Sequence, residues 1–83
     1  MILKDLREEK NLTQKEVCIR TGIPYNTYRR YEYGEREPGF AAIISLARLY
    51  HLRPGDLFEL LCRERGYCAG PSNLTEFHLF RLG

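Results

Sequence analysis

The chain has 83 residues, which is enough for one domain and too few for a second hydrophobic core. Its composition, 43% hydrophobic and 29% charged, is typical of a folded globular protein and argues against a wholly disordered chain. The net charge is only +2, so overall charge does not indicate binding to a polyanion, and any electrostatic argument depends on where the basic residues lie.

The sequence contains no pattern typical of a membrane protein or of a metal-binding protein. No apolar run approaches the roughly 18 residues that span a bilayer, and the N-terminal segment becomes charged too early for a signal peptide, so we expect a cytoplasmic protein without membrane association. The three cysteines, an odd number without a C-x-x-C pair, do not suggest a disulfide framework. The spacing of Cys62, Cys68 and His78 fits no usual zinc pattern, so we predict no metal site and no cofactor.

The first two predicted helices are recognised from the residues at which they begin and end. Apolar residues at helical spacing predict a first helix over residues 2–10, ended by Asn11. Thr13 opens the second helix and forms a T-x-x-E capping box with Glu16. Gly22 ends that helix, because glycine tolerates the left-handed conformation found after many helix C-termini.

The third predicted helix, over residues 25–33, divides into an inward and an outward side, and Gly34 ends it. At 100° per residue, Tyr28 and Tyr31 supply the inward contact. The outward side is a continuous face of rings, an amide and two guanidinium groups: Tyr25, Asn26, Arg29, Arg30 and Tyr33. This face contains no acidic residue. Two arginines without acidic partners are too costly to bury, so the face must meet water or a polyanion.

The last two predicted helices cover residues 40–50 and about 53–65. Arg53-Pro54-Gly55-Asp56 marks the start of the fifth helix, since proline is favoured in a first helical turn. Five residues of the fourth helix are expected on its apolar side: Phe40, Ile43, Ile44, Leu46 and Ala47.

The tail, residues 67–83, has two interpretations. Its start resembles a loop, and the apolar segment of residues 74–82 follows. Asn73 with Glu76 resembles a capping box, which favours a helix, whereas phenylalanine, threonine and leucine suit a strand equally well. We favour a strand or arm that packs on a dimer partner, because so apolar a segment would otherwise promote aggregation.

Two short helices joined by a tight glycine turn form a helix-turn-helix unit, whose second helix enters the DNA major groove. Further short motifs are L-R-E-E-K in the first helix, L-T-Q-x-E-V at the second, Y-E-x-G ending at Gly34, Pro38, and L-A followed by D-L. Because they carry these motifs in this order, residues 2–61 resemble the Cro/C1-type (XRE) helix-turn-helix family. The resemblance implies an all-α, five-helix, lambda-repressor-like DNA-binding domain in residues 1–66. A short C-terminal extension, residues 67–83, would follow as a strand or dimerisation arm.

The resemblance also implies roles for individual residues. The base-reading positions would be Tyr25, Asn26, Thr27 and Arg30. The phosphate contacts would come from Gln14, Arg29, Tyr33 and Arg36. Arginine and asparagine suit base reading because each can form two hydrogen bonds with one base. In the family, the arginine of the first helix pairs with the glutamate of the third, so Arg7 and Glu32 are assigned to a structural pair.

Some residues depart from the family pattern. Pro24 stands where serine or threonine commonly caps the third helix, which leaves the start of that helix open by one residue. Glu35 and Glu37 follow the recognition helix and should repel phosphates. Residues 10–36 contain six basic and three acidic residues, a local charge of +3, so affinity is expected to depend on dimerisation.

A two-fold dimer would place its recognition helices one DNA turn apart, roughly 34 Å, on a palindromic site. Apolar residues without an evident place inside one small domain are the candidates for its interface: Leu49, Phe58, Cys62, Phe77 and Leu79.

Two functional hypotheses follow from the sequence. The first is a dimeric regulator, most simply a repressor, that binds a palindromic operator in double-stranded DNA. The alternative is an antitoxin or adaptor whose tail binds a partner protein. An enzyme is not expected, because no catalytic triad, phosphate-binding loop or metal motif is visible.

Overall fold

The computed structural model describes residues 1–67, which form five α-helices. They are α1 (Ile2–Glu9), α2 (Gln14–Thr21), α3 (Tyr25–Tyr33), α4 (Phe40–Leu49) and α5 (Pro54–Arg65). No strand occurs in this part of the chain, so the predicted all-α class is confirmed. The predictions for the tail segment 74–82 lie outside the described residues. No helix within residues 1–67 is both long and apolar enough to cross a bilayer.

Each of the first three helices is followed, within two residues, by a residue with a positive φ. Asn11 has φ 56° after α1, Gly22 has φ 79° after α2, and Gly34 has φ 77° after α3. Glycine adopts this conformation without steric cost, and asparagine tolerates it better than most residues. α2 and α3 therefore end where the sequence predicts, α1 ends one residue earlier than predicted, and only three residues separate α2 from α3.

The starts of α2 and α3 are built differently. At α2, the Thr13 hydroxyl accepts a hydrogen bond from the Glu16 backbone N–H at 3.1 Å, and the Glu16 carboxylate accepts one from the Thr13 N–H at 2.7 Å. The predicted capping box is therefore confirmed. At α3, Pro24 occupies the N-cap position with extended backbone and provides no capping side chain. The helix still begins at Tyr25, as predicted, so Pro24 does not displace it.

One hydrophobic core joins the five helices. Tyr28 is fully buried in this core and Tyr31 is 8% exposed. The predicted inward side of α3 is therefore confirmed. The buried apolar residues are Leu3, Leu12, Val17, Ile23, Tyr28, Tyr31, Ile43, Leu46, Ala47, Tyr50, Leu57 and Leu61. Because α3 buries Tyr28 and Tyr31 here, its opposite side is left at the surface.

The predicted apolar side of α4 is partly wrong. Phe40 is 86% exposed and Ile44 is 44% exposed. The buried stripe on this helix follows the spacing i, i+3, i+4, i+7 from Ile43 to Tyr50, which places Phe40 and Ile44 on its flank. Leu49, expected to lack a place inside the domain, is instead partly buried against the core. It therefore offers less surface to a partner than the sequence suggested.

Candidate nucleic-acid interface

The outward side of α3 is accessible to a partner. Asn26 and Arg30 are exposed, and Arg29 is partly exposed. Tyr25 and Tyr33 are 40% and 49% exposed. Neither arginine forms an ion pair with any other residue in the described part of the chain. Two guanidinium groups and an amide are thus left for a ligand outside the domain.

Neighbouring helices fix the orientation of α3. The side chain of Arg65 in α5 donates a hydrogen bond to the backbone carbonyl of Tyr31 at 3.1 Å. The Glu32 carboxylate, which is 1% exposed, is bound from α1 and α2. These contacts, together with the buried tyrosines, hold the helix so that its charged side points away from the core.

The predicted structural pair between Arg7 and Glu32 is present. Arg7 Nε donates to Glu32 Oε2 at 2.7 Å, and Arg7 Nη2 donates to Glu32 Oε1 at 3.2 Å. Arg7 Nη1 also donates to the Leu12 carbonyl at 3.0 Å. Burial by itself raises the pKa of Glu32. The hydrogen bonds from Arg7 and Gln14 outweigh this effect, so the pKa of Glu32 lies below its ordinary value.

Gln14 connects this buried pair to the surface. Its amide Nε2 donates to Glu32 Oε1 at 2.9 Å, and its Oε1 accepts a hydrogen bond from the Tyr25 hydroxyl at 3.3 Å. An amide nitrogen carries two N–H groups, so one is still available to a phosphate. Gln14 is also the first residue of α2, where the free backbone N–H groups of a helix favour an anion.

Rings and cations alternate along the outer surface of α2 and α3. The Arg29 guanidinium carbon lies 5.7 Å from the ring centre of Tyr25 and 5.5 Å from that of Tyr33. Lys15 Nζ lies 6.0 Å from the ring centre of Tyr25. We call Lys15, Tyr25, Arg29 and Tyr33 the cation–ring row. The sequence predicted that its α3 members share a face but missed their pairing, for which the i, i+4, i+8 spacing was the available signal.

Two backbone N–H groups of the turn after α3 already donate hydrogen bonds within the domain. The backbone N–H groups of Glu35 and Arg36 both donate to the Arg30 carbonyl, at 2.9 and 3.3 Å. The exposed Arg36 side chain is therefore better placed than its backbone for the predicted phosphate contact. The Glu37 carboxylate accepts a hydrogen bond from the Tyr67 hydroxyl, which ties one of the two acids to the end of α5.

Thr27 lies deeper than the other predicted base-reading residues. It is partly buried and lines a shallow depression with Pro24 and Arg36. The structure thus brings all of the predicted DNA-contacting residues to α2, α3 and the turn after α3, with Thr27 the least prominent among the base-reading set.

A second, apolar surface lies on α4 and α5. Phe40, Ile44 and Phe58 line one groove, and Phe58 is 53% exposed. Phe58 also lines an adjoining cavity that reaches Tyr67, the last described residue. We call Phe40, Ile44, Phe58 and Tyr67 the apolar surface. Of the predicted dimer residues, Phe58 belongs to it and Cys62 lines the adjoining cavity, whereas Phe77 and Leu79 lie outside the described residues.

Metal-ligating side chains do not gather within residues 1–67. No group of three or more His, Cys, Asp or Glu side chains in this range could hold a metal ion. Of the three residues considered for a zinc site in the sequence, Cys68 and His78 lie outside the described residues.

Comparisons with known proteins agree with the helical pattern. A family model described as "Helix-turn-helix" matches residues 3–57, which contain α1 except its first residue, all of α2–α4 and the start of α5. The cryptic phage CTXphi transcriptional repressor RstR of Vibrio cholerae is 40% identical over 48 residues, which are 58% of this chain and 43% of the repressor. The uncharacterized HTH-type transcriptional regulator YqaE of Bacillus subtilis (strain 168) is 36% identical over 47 residues, 57% of this chain and 40% of that protein. The matched part thus spans about two-fifths of each relative. No solved structure gives a significant match.

Proposed function

Since the chain belongs to the Cro/C1-type (XRE) helix-turn-helix family of DNA-binding transcriptional regulators, we propose that it is a repressor that binds a palindromic operator as a dimer. The observation that carries this proposal is the outward side of α3, where Asn26, Arg29 and Arg30 are accessible without an acidic partner among the described residues. The Vibrio cholerae relative is named a transcriptional repressor, which supports the direction of regulation. The proposed place of action is the cytoplasm.

The proposed DNA contacts divide between bases and phosphates. Asn26 and Arg30 are exposed on α3 and can each form two hydrogen bonds with a base edge in the major groove. Gln14 at the start of α2, Arg29 in the middle of α3 and the Arg36 side chain would bind phosphates on either side of the groove. These phosphate contacts fix the position of the protein, whereas the base contacts provide the sequence specificity.

The proposed dimer uses the apolar surface. Phe40 and Phe58 expose apolar rings on a domain whose DNA-facing charge is modest, and a second subunit would double both the charge and the base contacts. Tyr67 lines the cavity beside Phe58, so the tail begins next to this surface. We therefore propose a division into a DNA-binding domain, residues 1–66, and a dimerisation arm, residues 67–83.

Selection of bound sequences from a random pool of DNA duplexes tests this function with the full chain. We expect a palindrome to be enriched whose half-sites are about 10 base pairs apart. Affinity for this palindrome should fall steeply between about 50 and 200 mM salt, because released counterions dominate binding. An antitoxin or adaptor that acts only through a partner protein would enrich no sequence, and that result would refute the proposal.

A further inference from the structure

Arg29 occupies the middle of the cation–ring row. Tyr25 lies one helical turn before it and Tyr33 one turn after it, with ring centres 5.7 and 5.5 Å from the guanidinium carbon. Both distances lie within the roughly 6 Å over which a ring face attracts a cation. Within residues 1–67, Arg29 forms no ion pair that would compete with these two ring contacts.

Tyr25 is itself held in place. Its hydroxyl donates to Gln14 Oε1 at 3.3 Å, and Gln14 Nε2 donates to Glu32 at 2.9 Å. Glu32 in turn accepts two hydrogen bonds from Arg7. A continuous series of contacts therefore connects the buried ion pair to the ring that packs against Arg29.

We propose that Tyr25 and Tyr33 are positioning residues, which orient Arg29 toward a DNA phosphate rather than contacting the DNA themselves. This inference rests on the proposed function and differs from the family resemblance, which implied direct contacts for both tyrosines. A cation–ring contact uses none of the guanidinium N–H groups in a hydrogen bond, so these groups can form the two parallel hydrogen bonds that a phosphate accepts. Holding the side chain before binding reduces the entropy lost when it is ordered on DNA.

Tyr33 gives the sharper test, because its ring and its hydroxyl can be removed separately. Affinity is measured by fluorescence anisotropy with a labelled duplex that carries the selected palindrome. Tyr33→Phe keeps the ring, so its affinity should stay within about twofold of wild type. Tyr33→Leu loses the ring contact and should bind about threefold to tenfold more weakly. Leucine is a good helix former at this exposed position, and a thermal melt of each variant checks that α3 is intact.

The dependence on Arg29 is tested by repeating Tyr33→Leu in an Arg29→Ala background. There it should cause no further loss, because no guanidinium remains to be oriented. The loss caused by Tyr33→Leu should also be the same for every base substitution in the duplex, as expected for a phosphate contact.

Three results would overturn the inference. The first is a loss with Tyr33→Phe as large as with Tyr33→Leu, which would mean that the hydroxyl binds DNA. The second is an undiminished effect of Tyr33→Leu in the Arg29→Ala background. The third is a loss confined to one base position, which would make Arg29 a base-reading residue. In each case wild type still binds the palindrome, whereas failure of the proposed function would appear as no duplex binding by wild type at all.

Discussion

At the residue scale, Glu32 connects the core to the outward side of α3. Its carboxylate accepts two hydrogen bonds from Arg7 and one from Gln14, and Gln14 Oε1 accepts a hydrogen bond from the Tyr25 hydroxyl. A side chain that is 1% exposed can remain charged only with partners of this kind. The same residue therefore affects both the stability of the domain and the geometry of its proposed phosphate contacts.

The pKa of Glu32 predicts how stability depends on pH. Because the folded-state pKa is lower than the ordinary value of 4.5, the unfolded chain takes up the proton first as the pH falls. The stabilisation by Glu32 is therefore complete above about pH 4.5 and is lost as the pH falls through the folded-state pKa. Urea unfolding followed by circular dichroism should show this loss in wild type.

Glu32→Gln should lower the free energy of unfolding by about 2–4 kcal/mol at neutral pH, since it leaves Arg7 without a charged partner. It should also show a smaller decrease on acidification than wild type. Some decrease should persist, because the hydrogen bond from the Thr13 backbone also lowers the pKa of Glu16. Equal pH dependence in the two proteins would contradict the role given to Glu32.

At the element scale, the helix ends were predictable because they are local. The capping box at Thr13, the stop at Gly22 and the bounds of α3 each depend on residues within one turn of the position concerned. The exposure of Phe40 and the partial burial of Leu49 were not predictable in this way. They depend on which flank of α4 is covered by other helices, and that is decided by tertiary packing.

The candidate site likewise has features that could be predicted from the sequence and features that could not. Angular positions on α3 predicted its accessible face, and the family resemblance implied the Arg7–Glu32 pair. The hydrogen bonds of Gln14 and the contact between Lys15 and Tyr25 join side chains of α2 and α3. The periodicity of a single helix carries no information about such distances, so sequence analysis missed them.

The capping box of α2 gives a stability prediction for a single element. Thr13→Ala removes the hydroxyl that accepts the Glu16 N–H, and it should lower the free energy of unfolding by about 1 kcal/mol. Thr13→Ser keeps the hydroxyl and serves as the matched control, and its free energy of unfolding should change by only a few tenths of a kcal/mol. Equal losses in both variants, measured by urea unfolding, would mean that the hydroxyl does not stabilise α2.

At the scale of the whole molecule, two different surfaces coexist on a small domain. The accessible side of α3 carries cations, an amide and rings, and the apolar surface on α4 and α5 carries exposed phenylalanines. Residues 10–36 contain six basic and three acidic side chains, which is a modest charge for binding a polyanion. Dimerisation through the apolar surface would compensate by doubling the DNA contacts.

Phe58→Lys tests the proposed dimer interface. Phe58 is 53% exposed, so a lysine can be accommodated in the monomer but would oppose burial against a partner. Sedimentation equilibrium should show a dimer for wild type and mainly monomer for Phe58→Lys. Ile19, which is 81% exposed on α2 and lines neither of the two cavities at the apolar surface, provides the matched control, and Ile19→Lys should remain dimeric. An unchanged mass for Phe58→Lys would exclude this interface.

The most direct measurement is a binding competition between the selected palindrome and versions with single base substitutions, using wild type, Arg30→Ala and Gln14→Ala. If α3 reads the bases, Arg30→Ala should reduce discrimination at one position of each half-site by about 1–3 kcal/mol. Gln14→Ala, which removes a proposed phosphate contact, should weaken binding to all the duplexes alike. An Arg30→Ala protein that keeps the sequence preference of wild type would contradict the assignment of α3 as the recognition helix.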